Sequence, residues 1–258
     1  MSSMSELVEL QETLYKSKNP TRRWLHCTRR DWIINAINCI SSEINCKRAL
    51  EVGPGSGIYL PVLAEIFQEV TASDIEEDYL QHASVLKHSY PNLRLAIDDI
   101  TDTRLEKASF DLILCTEVVE HIPNSTPAIA QMYQLLKPGG VLILSTPQRW
   151  SPLELTAKIA FLPGIIDLVR LIYREPILET GHINLMTAKQ VTKQLQMAGF
   201  DISKRFKSGM YLPLIAEFTG IKGLHFEKWL EKKLIDGTLD WLLWTQYYIA
   251  EKTGGESK

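Results

Sequence analysis

The stretch Arg48-Ala-Leu-Glu-Val-Gly-Pro-Gly-Ser-Gly57 decides the fold of this chain. A short apolar run carries one acid, Glu51, and leads into glycines at alternate positions, Gly53, Gly55 and Gly57. A helical pattern begins directly afterwards. A strand, a glycine-rich turn and a helix N-terminus are where α/β folds hold nucleotide-like ligands, because glycine permits positive φ and close approach of a ligand. The spacing is not the G-x-G-x-x-G of dinucleotide binders, and the lysine of a P-loop is absent.

The composition is that of an ordinary globular protein. The chain has 258 residues, 45% of them hydrophobic, and a formal net charge of -3. This length suits one large α/β domain with additions, and the weak negative charge gives no basic face for nucleic acid. Four cysteines without a C-x-x-C pair predict reduced thiols in a cytoplasmic protein. We also expect neither a signal peptide nor an integral membrane segment, since the apolar runs are too short.

Strand and helix patterns alternate along most of the chain. A first helix is predicted over 20–42, with Asn19-Pro20 as its N-terminal capping signal. Strands are predicted over 48–52, 69–73, 93–97, 110–115, 141–145, 200–206 and 241–250, and helices over 58–67, 76–88, 126–136, 187–198 and 226–235. This alternation predicts a doubly wound α/β fold, with a mostly parallel sheet that is covered by helices on both faces.

Acidic residues follow two of the predicted strands. Asp74 ends the second strand, where an acid can accept hydrogen bonds from ribose hydroxyls; the alternative is a helix cap or a loop acid. Asp98-Asp99-Ile100 ends the third strand, where an aspartate would accept from an adenine amino group and Ile100 would flank the ring. Because the carboxyl ends of parallel strands meet at one edge of a sheet, these residues are predicted to share one site.

The chain resembles the class I S-adenosylmethionine-dependent methyltransferases, and among them the ubiquinone-biosynthesis O-methyltransferases and other small-molecule methyltransferases. The matching segments, in order, are LEVGPGSG, TASDI, IDDI, FDLILCTEVVEHIP, LLKPGGVLILSTP and GHINLMTAKQVTKQLQMAGF, over about residues 45–205. The resemblance implies a seven-stranded sheet of order 3-2-1-4-5-7-6 with the last strand antiparallel, and S-adenosylmethionine as the cofactor. The predicted organisation is an N-terminal helical segment, 1–45, and a methyltransferase domain, 46–258. Within that domain, the apolar and proline-containing stretch 150–180 interrupts the strand–helix alternation and predicts a helical cap insertion, and 209–237 is a second predicted insertion.

The resemblance also assigns cofactor contacts to individual residues. Gly53 and Gly55 would pack against the methionine part of the cofactor, and Glu51 would order their turn. An arginine of the first helix would clamp the cofactor carboxylate, and Arg29 matches better than Arg30. The full set of implied cofactor-binding residues is Arg29, Glu51, Gly53, Gly55, Asp74, Asp99, Ile100 and Thr116.

The expected reaction is in-line transfer of a methyl group to a small acceptor that is apolar or aromatic, beneath a lid formed by the cap. His121 and His182 are candidate general bases, although a structural or substrate-shaping role is the stronger interpretation of each. No metal is predicted. A nicotinamide-dependent oxidoreductase and a catalytically silent S-adenosylmethionine-binding protein remain as alternatives. The sequence leaves the oligomeric state and peripheral membrane contact open.

Overall fold

The computed structural model describes residues 14–160 and 181–254, and its centre is one seven-stranded sheet. The strands are β1 (Arg48–Val52), β2 (Glu69–Asp74), β3 (Leu93–Ile97), β4 (Phe110–Thr116), β5 (Leu136–Pro147), β6 (Asp201–Ser208) and β7 (Thr245–Glu251). Their order is β3-β2-β1-β4-β5-β7-β6, and β7 runs antiparallel to both of its neighbours while the other pairs are parallel. The predicted fold class, strand order and antiparallel last strand are confirmed.

Helices cover both faces of this sheet. They are α1 (Pro20–Ser41), α2 (Leu60–Ile66), α3 (Glu77–Ser84), α4 (Thr126–Leu135), α5 (Pro152–Ala160), α6 (Ala188–Ala198), α7 (Pro213–Thr219) and α8 (Ile221–Leu234). Local sequence signals set several of their ends. The Asn19 side chain accepts hydrogen bonds from the first-turn N–H groups of α1, and Thr187 and Gln190 form a capping box at α6. Gly199 ends α6 in the left-handed conformation.

Two apolar clusters, one on each face of the sheet, form the core. On one face Ile33 and Ile37 of α1 are fully buried together with Leu112 of β4. On the other face Ile129 of α4 and Leu195 of α6 lie in a second buried cluster. Burial of each such side chain stabilises the fold by about 1.5–3 kcal/mol, which explains why the central strands read as continuous apolar runs.

Several predicted boundaries are wrong, and tertiary contacts explain the differences. Strand β5 begins at Leu136, five residues before the predicted start, because Leu136 already pairs with Phe110. Strand β7 begins at Thr245, four residues after the predicted start. The chain forms a 3-10 turn over Asp240–Leu242 and then a bend before it enters the strand. The aromatic residues near the C-terminus are expected from the sequence to lie in the core, but Trp229 and Trp241 are 55% and 39% exposed.

The two predicted insertions are helical where the structure describes them. The second insertion contains α7 and α8, which Gly220 separates with a φ of 56°. The first helix of the predicted cap is α5, and residues 161–180 of that cap lie outside the described residues. Within the described ranges, the helices are all too short or too polar to cross a membrane.

Candidate active site

The strand register places the predicted cofactor residues along one edge of the sheet. Val52 of β1 pairs with Ser73 of β2 on one side and with Cys115 of β4 on the other. The next position on each strand is therefore Gly53, Asp74 or Thr116. Because neighbouring strands lie about 4.8 Å apart, these positions on three adjacent strands are within the length of one nucleoside. This edge is formed by the carboxyl ends of the parallel strands, where open α/β sheets bind ligands.

The glycine turn packs directly against the segment that follows β4. Gly53 has a φ of 67°, and its N–H donates a 2.8 Å hydrogen bond to the Ser73 carbonyl. A Cβ atom at this position would lie 2.5 Å from Cγ2 of Val118. Only glycine meets both conditions, because other residues would be strained at this φ and would clash with Val118. Two motifs that are far apart in the sequence thus form one wall of the site.

Glu51 is a buried carboxyl group without a hydrogen-bond partner. Its exposed fraction is 1%, and neither carboxylate oxygen accepts a hydrogen bond from any residue that the structure describes. Burial raises its pKa to about 8. Among the described residues Glu51 makes no direct hydrogen bond to the glycine turn, so the expectation that it orders this turn stays a prediction. A buried unpaired acid is costly, and a cationic ligand beside it would offset that cost.

The pH dependence of stability should report the buried state of Glu51. Its raised pKa means that the ligand-free protein holds this proton when the unfolded chain has lost it. The protonated Glu51 side chain therefore contributes fully to the free energy of unfolding at low pH. This contribution is lost as the pH rises from the usual pKa of glutamate toward about 8, by up to about 1.4 kcal/mol per pH unit. Glu51→Gln should remove this loss in urea unfolding at pH 5 and pH 7.5, whereas the exposed-site control Glu43→Gln should follow the parent. Identical pH slopes for Glu51→Gln and the parent protein would contradict the burial argument.

The acids after β2 and β3 lie at the predicted edge and already make local contacts. Asp74 accepts a 3.0 Å hydrogen bond from the Glu76 N–H through Oδ1, and burial raises its pKa. Asp99 is exposed and accepts from the N–H and hydroxyl of Thr101 through Oδ1. Ile100 lies in the core cluster, 6% exposed. Each aspartate thus uses one oxygen as a turn acceptor, and their roles toward a ribose or an adenine remain predictions.

Arg29 reaches the same edge through an ion pair with Glu117. Arg29 Nη1 lies 2.7 Å from Glu117 Oε2, with side chains that are 12% and 18% exposed. The other Glu117 oxygen accepts from the Ser145 hydroxyl at 2.8 Å. Glu117 directly follows β4 and has a φ of 56°, a costly conformation for a residue other than glycine that is typical of functional sites. By contrast, Arg30 pairs with its neighbour Asp31 on an exposed part of α1.

His121 and His182, which are distant in sequence, are neighbours in the structure. Their ring centroids are 5.3 Å apart. The backbone brings them together, since the carbonyl of Glu120 accepts hydrogen bonds from the N–H groups of Ile183 and Asn184. Burial and the neighbouring His182 ring lower the pKa of His121. Both candidate bases therefore lie in one cluster, just beyond the end of β4.

Two acids beside these histidines were missed by the sequence analysis. Glu120 is fully buried; its Oε2 accepts from the Thr146 hydroxyl at 3.0 Å, and its Oε1 has no partner among the described residues. Burial, reinforced by the charge of Glu117, raises its pKa well above the usual range. Glu154 of α5 accepts from Trp244 Nε1 and lies 3.2 Å from Nδ1 of His182. In the sequence, Glu120 could have been noticed because it directly precedes the candidate base His121. No feature of the sequence indicated a role for Glu154.

The geometry fits the cofactor that the sequence implied. Three features suit a cationic nucleoside. They are a glycine turn without room for a Cβ atom, a ribose-acid position one strand away, and a buried carboxyl group without a partner, whose ionisation a cation would favour. Together with the strand order, these features define a methyltransferase fold of class I. A family model described as a methyltransferase domain matches residues 22–204. The chain belongs to this family, and S-adenosylmethionine is the cofactor that the family and the fold imply.

Individual relatives agree with this assignment. A probable S-adenosylmethionine-dependent methyltransferase of Mycolicibacterium smegmatis is 27% identical over 153 residues, which cover 59% of this chain and 51% of the relative. A ubiquinone biosynthesis O-methyltransferase of Rickettsia typhi is 31% identical over 144 residues, which cover 54% of this chain and 53% of the relative. The chain thus spans about half the length of these curated relatives.

A solved structure shows the same fold over most of the chain. It is a putative sarcosine dimethylglycine methyltransferase from Galdieria sulphuraria, with a TM-score of 0.60 and 13% sequence identity. The similarity covers 90% of this chain and 88% of that protein. At this identity the comparison supports the fold alone.

Proposed function

We propose that this protein transfers a methyl group from S-adenosylmethionine to a small aromatic or otherwise apolar acceptor, at a hydroxyl oxygen. The observation that carries the proposal is the register that aligns Gly53, Asp74 and Thr116 at one edge, beside the unpaired carboxyl group of Glu51. When bound there, S-adenosylmethionine supplies an activated methyl group, which bonds the acceptor oxygen as its bond to sulfur breaks. The choice of oxygen and of an aromatic acceptor rests on the relatives named ubiquinone biosynthesis O-methyltransferases.

The residues of the chain would contribute mainly position and alignment. The glycine turn, Asp74 and Arg29 would fix the donor, and proximity of this kind lowers a barrier by up to roughly 7–11 kcal/mol. A phenolic acceptor must also lose its proton, and the Nε2 atoms of His121 and His182 are the candidates to receive it. Both histidines lie in one cluster just past the end of β4, and the charge of Glu117, the partner of Arg29, acts on His121.

The acceptor would approach from the side of His182. A cleft of about 220 Å³ opens there, lined by Arg149, Lys158, His182 and residues 183–185. It is smaller than the roughly 300–1,000 Å³ of typical ligand pockets, so it would take only the polar end of an acceptor. The predicted cap would cover the remaining, apolar part of the acceptor. Residues 161–180 of this cap lie outside the described ranges.

Ligand binding tests the proposed class directly. In calorimetric titrations S-adenosylhomocysteine should bind one site per chain, and NAD should not bind, because the G-x-G-x-G turn lacks the dinucleotide spacing. Release of S-adenosylhomocysteine in the presence of a panel of phenols and catechols then measures turnover. Tight binding of NAD without a response to S-adenosylhomocysteine would overturn the proposal in favour of an oxidoreductase. Binding without turnover on any acceptor would favour a silent binding protein.

A further inference from the structure

We propose that Glu120, His121 and His182 bind one divalent transition-metal ion beside the acceptor pocket. One potential ligand atom from each residue lies within 4.8 Å of the others. Ligand atoms at about 2.1 Å from one tetrahedral ion lie about 3.4 Å apart, so side-chain rotations that shorten these distances by up to about 1.4 Å would close the site. The sequence predicted no metal, because His182 is far from the other two ligands in the chain.

In each of the two histidines, the hydrogen bond at Nδ1 leaves Nε2 as the nitrogen that can bind a metal ion. His121 Nδ1 lies 3.2 Å from the Gly181 carbonyl, which can only accept, so this nitrogen carries the hydrogen. His182 Nδ1 lies 3.2 Å from the carboxylate of Glu154 and donates in the same way. In the neutral form of each ring Nε2 therefore keeps its lone pair, and it is the nitrogen that we assign to the ion. A histidine that is oriented by a carboxylate or a carbonyl is the usual outer shell of a metal site.

Glu120 supplies the negative ligand and has an oxygen to spare. It is fully buried, Thr146 occupies one of its oxygens, and the other has no partner among the residues that the structure describes. The neighbouring acid Glu117 cannot take this role unchanged, because Arg29 and Ser145 already occupy its two oxygens. Buried carboxylates are normally paired or bound to a metal, and a divalent cation would neutralise this one.

The ligand types select the kind of ion. Two imidazoles and one carboxylate suit zinc, cobalt, manganese or ferrous iron, and disfavour magnesium, which prefers oxygen ligands. Three protein ligands leave positions open for an exogenous oxygen. Under the proposed function, that oxygen belongs to the acceptor hydroxyl, and the metal ion would favour its deprotonation, with the proton passing to solvent water at the exposed His121. The two histidines would then act as ligands and not as general bases.

Metal binding to the whole, tag-free chain tests the site without an activity assay. After chelator treatment and dialysis, titration with Co²⁺, followed by visible absorption and calorimetry, should show one ion per chain. His182→Ala should weaken Co²⁺ binding by more than about a hundredfold, and Glu154→Gln, which alters the carboxylate that supports both His182 and Trp244, by about 10–100-fold. His225→Ala, which changes an exposed histidine of α8, should bind as the parent does. Circular dichroism of each variant confirms that it is folded.

The outcomes separate this inference from the proposed function. Absence of Co²⁺ and Zn²⁺ binding by the parent protein, or equal binding by His182→Ala and His225→Ala, would overturn the metal site. Tighter binding of Mg²⁺ than of Zn²⁺ would also contradict imidazole ligation. Titration of the metal-stripped protein with S-adenosylhomocysteine is independent of these results. Binding of the nucleoside without any metal would reject only the metal site, and binding of metal without the nucleoside would reject only the proposed function.

Discussion

Replacement of Arg29 by methionine should destabilise the protein and weaken cofactor binding at the same time. The substitution leaves Glu117 without its cation in a site where the pair is only 12% and 18% exposed. Removal of one partner from a buried ion pair costs on the order of 3 kcal/mol. If Arg29 also clamps the carboxylate of the cofactor, loss of that charged hydrogen bond removes a further 1.5–3 kcal/mol or so of binding energy, about ten- to a hundredfold in affinity.

A double variant separates these two effects. Arg29→Met combined with Glu117→Gln no longer contains an uncompensated charge, so it should recover most of the lost stability in urea unfolding. Its affinity for S-adenosylhomocysteine should stay low, because the clamp is still missing. Arg29→Lys should restore little affinity, since lysine lacks the planar fork of two donors. Recovery of full affinity in the double variant would show that Arg29 only neutralises Glu117.

Arg30→Met is the matched control for Arg29→Met. Arg30 lies on the same helix and pairs with its neighbour Asp31 at an exposed position. Substitutions of this kind usually change stability by less than about 0.5 kcal/mol. If Arg30→Met carried the affinity defect instead, the assignment of the clamp would be wrong by one residue.

Asp74→Ala should raise the dissociation constant for S-adenosylhomocysteine by about ten- to a hundredfold. The carboxylate stands one strand away from the glycine turn and would accept two charge-assisted hydrogen bonds from ribose hydroxyls. In the structure one of its oxygens already accepts from the Glu76 N–H, so a modest loss of stability is also expected. Calorimetry at a fixed temperature below the unfolding transition measures the affinity.

Asp78→Ala provides the control for Asp74→Ala. Asp78 is an exposed acid in the first turn of α3, so its removal also perturbs this helix without touching the sheet edge. Its substitution should leave the affinity for the nucleoside unchanged. If Asp74→Ala also kept the parent dissociation constant while it lost stability, Asp74 would be a turn acceptor alone.

Local sequence determined the fold and the cofactor edge of the site. Alternating apolar runs located the strands and helices along the chain, whereas the order of the strands in the sheet followed from the family resemblance. Asn19, Thr187 and Gly199 mark helix ends because capping depends on residues within one turn. The glycine turn and Asp74 could also be identified from local sequence, because each lies at the end of a strand whose apolar pattern is recognisable without the rest of the chain. Parallel register then had to bring these strand ends to one edge.

Only the tertiary structure decided which distant side chains meet at that edge. The pairing of Arg29 with Glu117 depends on how α1 crosses the sheet, and the contact of His121 with His182 depends on backbone hydrogen bonds from Ile183 and Asn184 to the carbonyl of Glu120. The sequence named three of these four side chains without predicting either contact. It predicted neither the burial of Glu120 nor its spare oxygen, because burial is a property of the packed whole and has no local spacing in the chain.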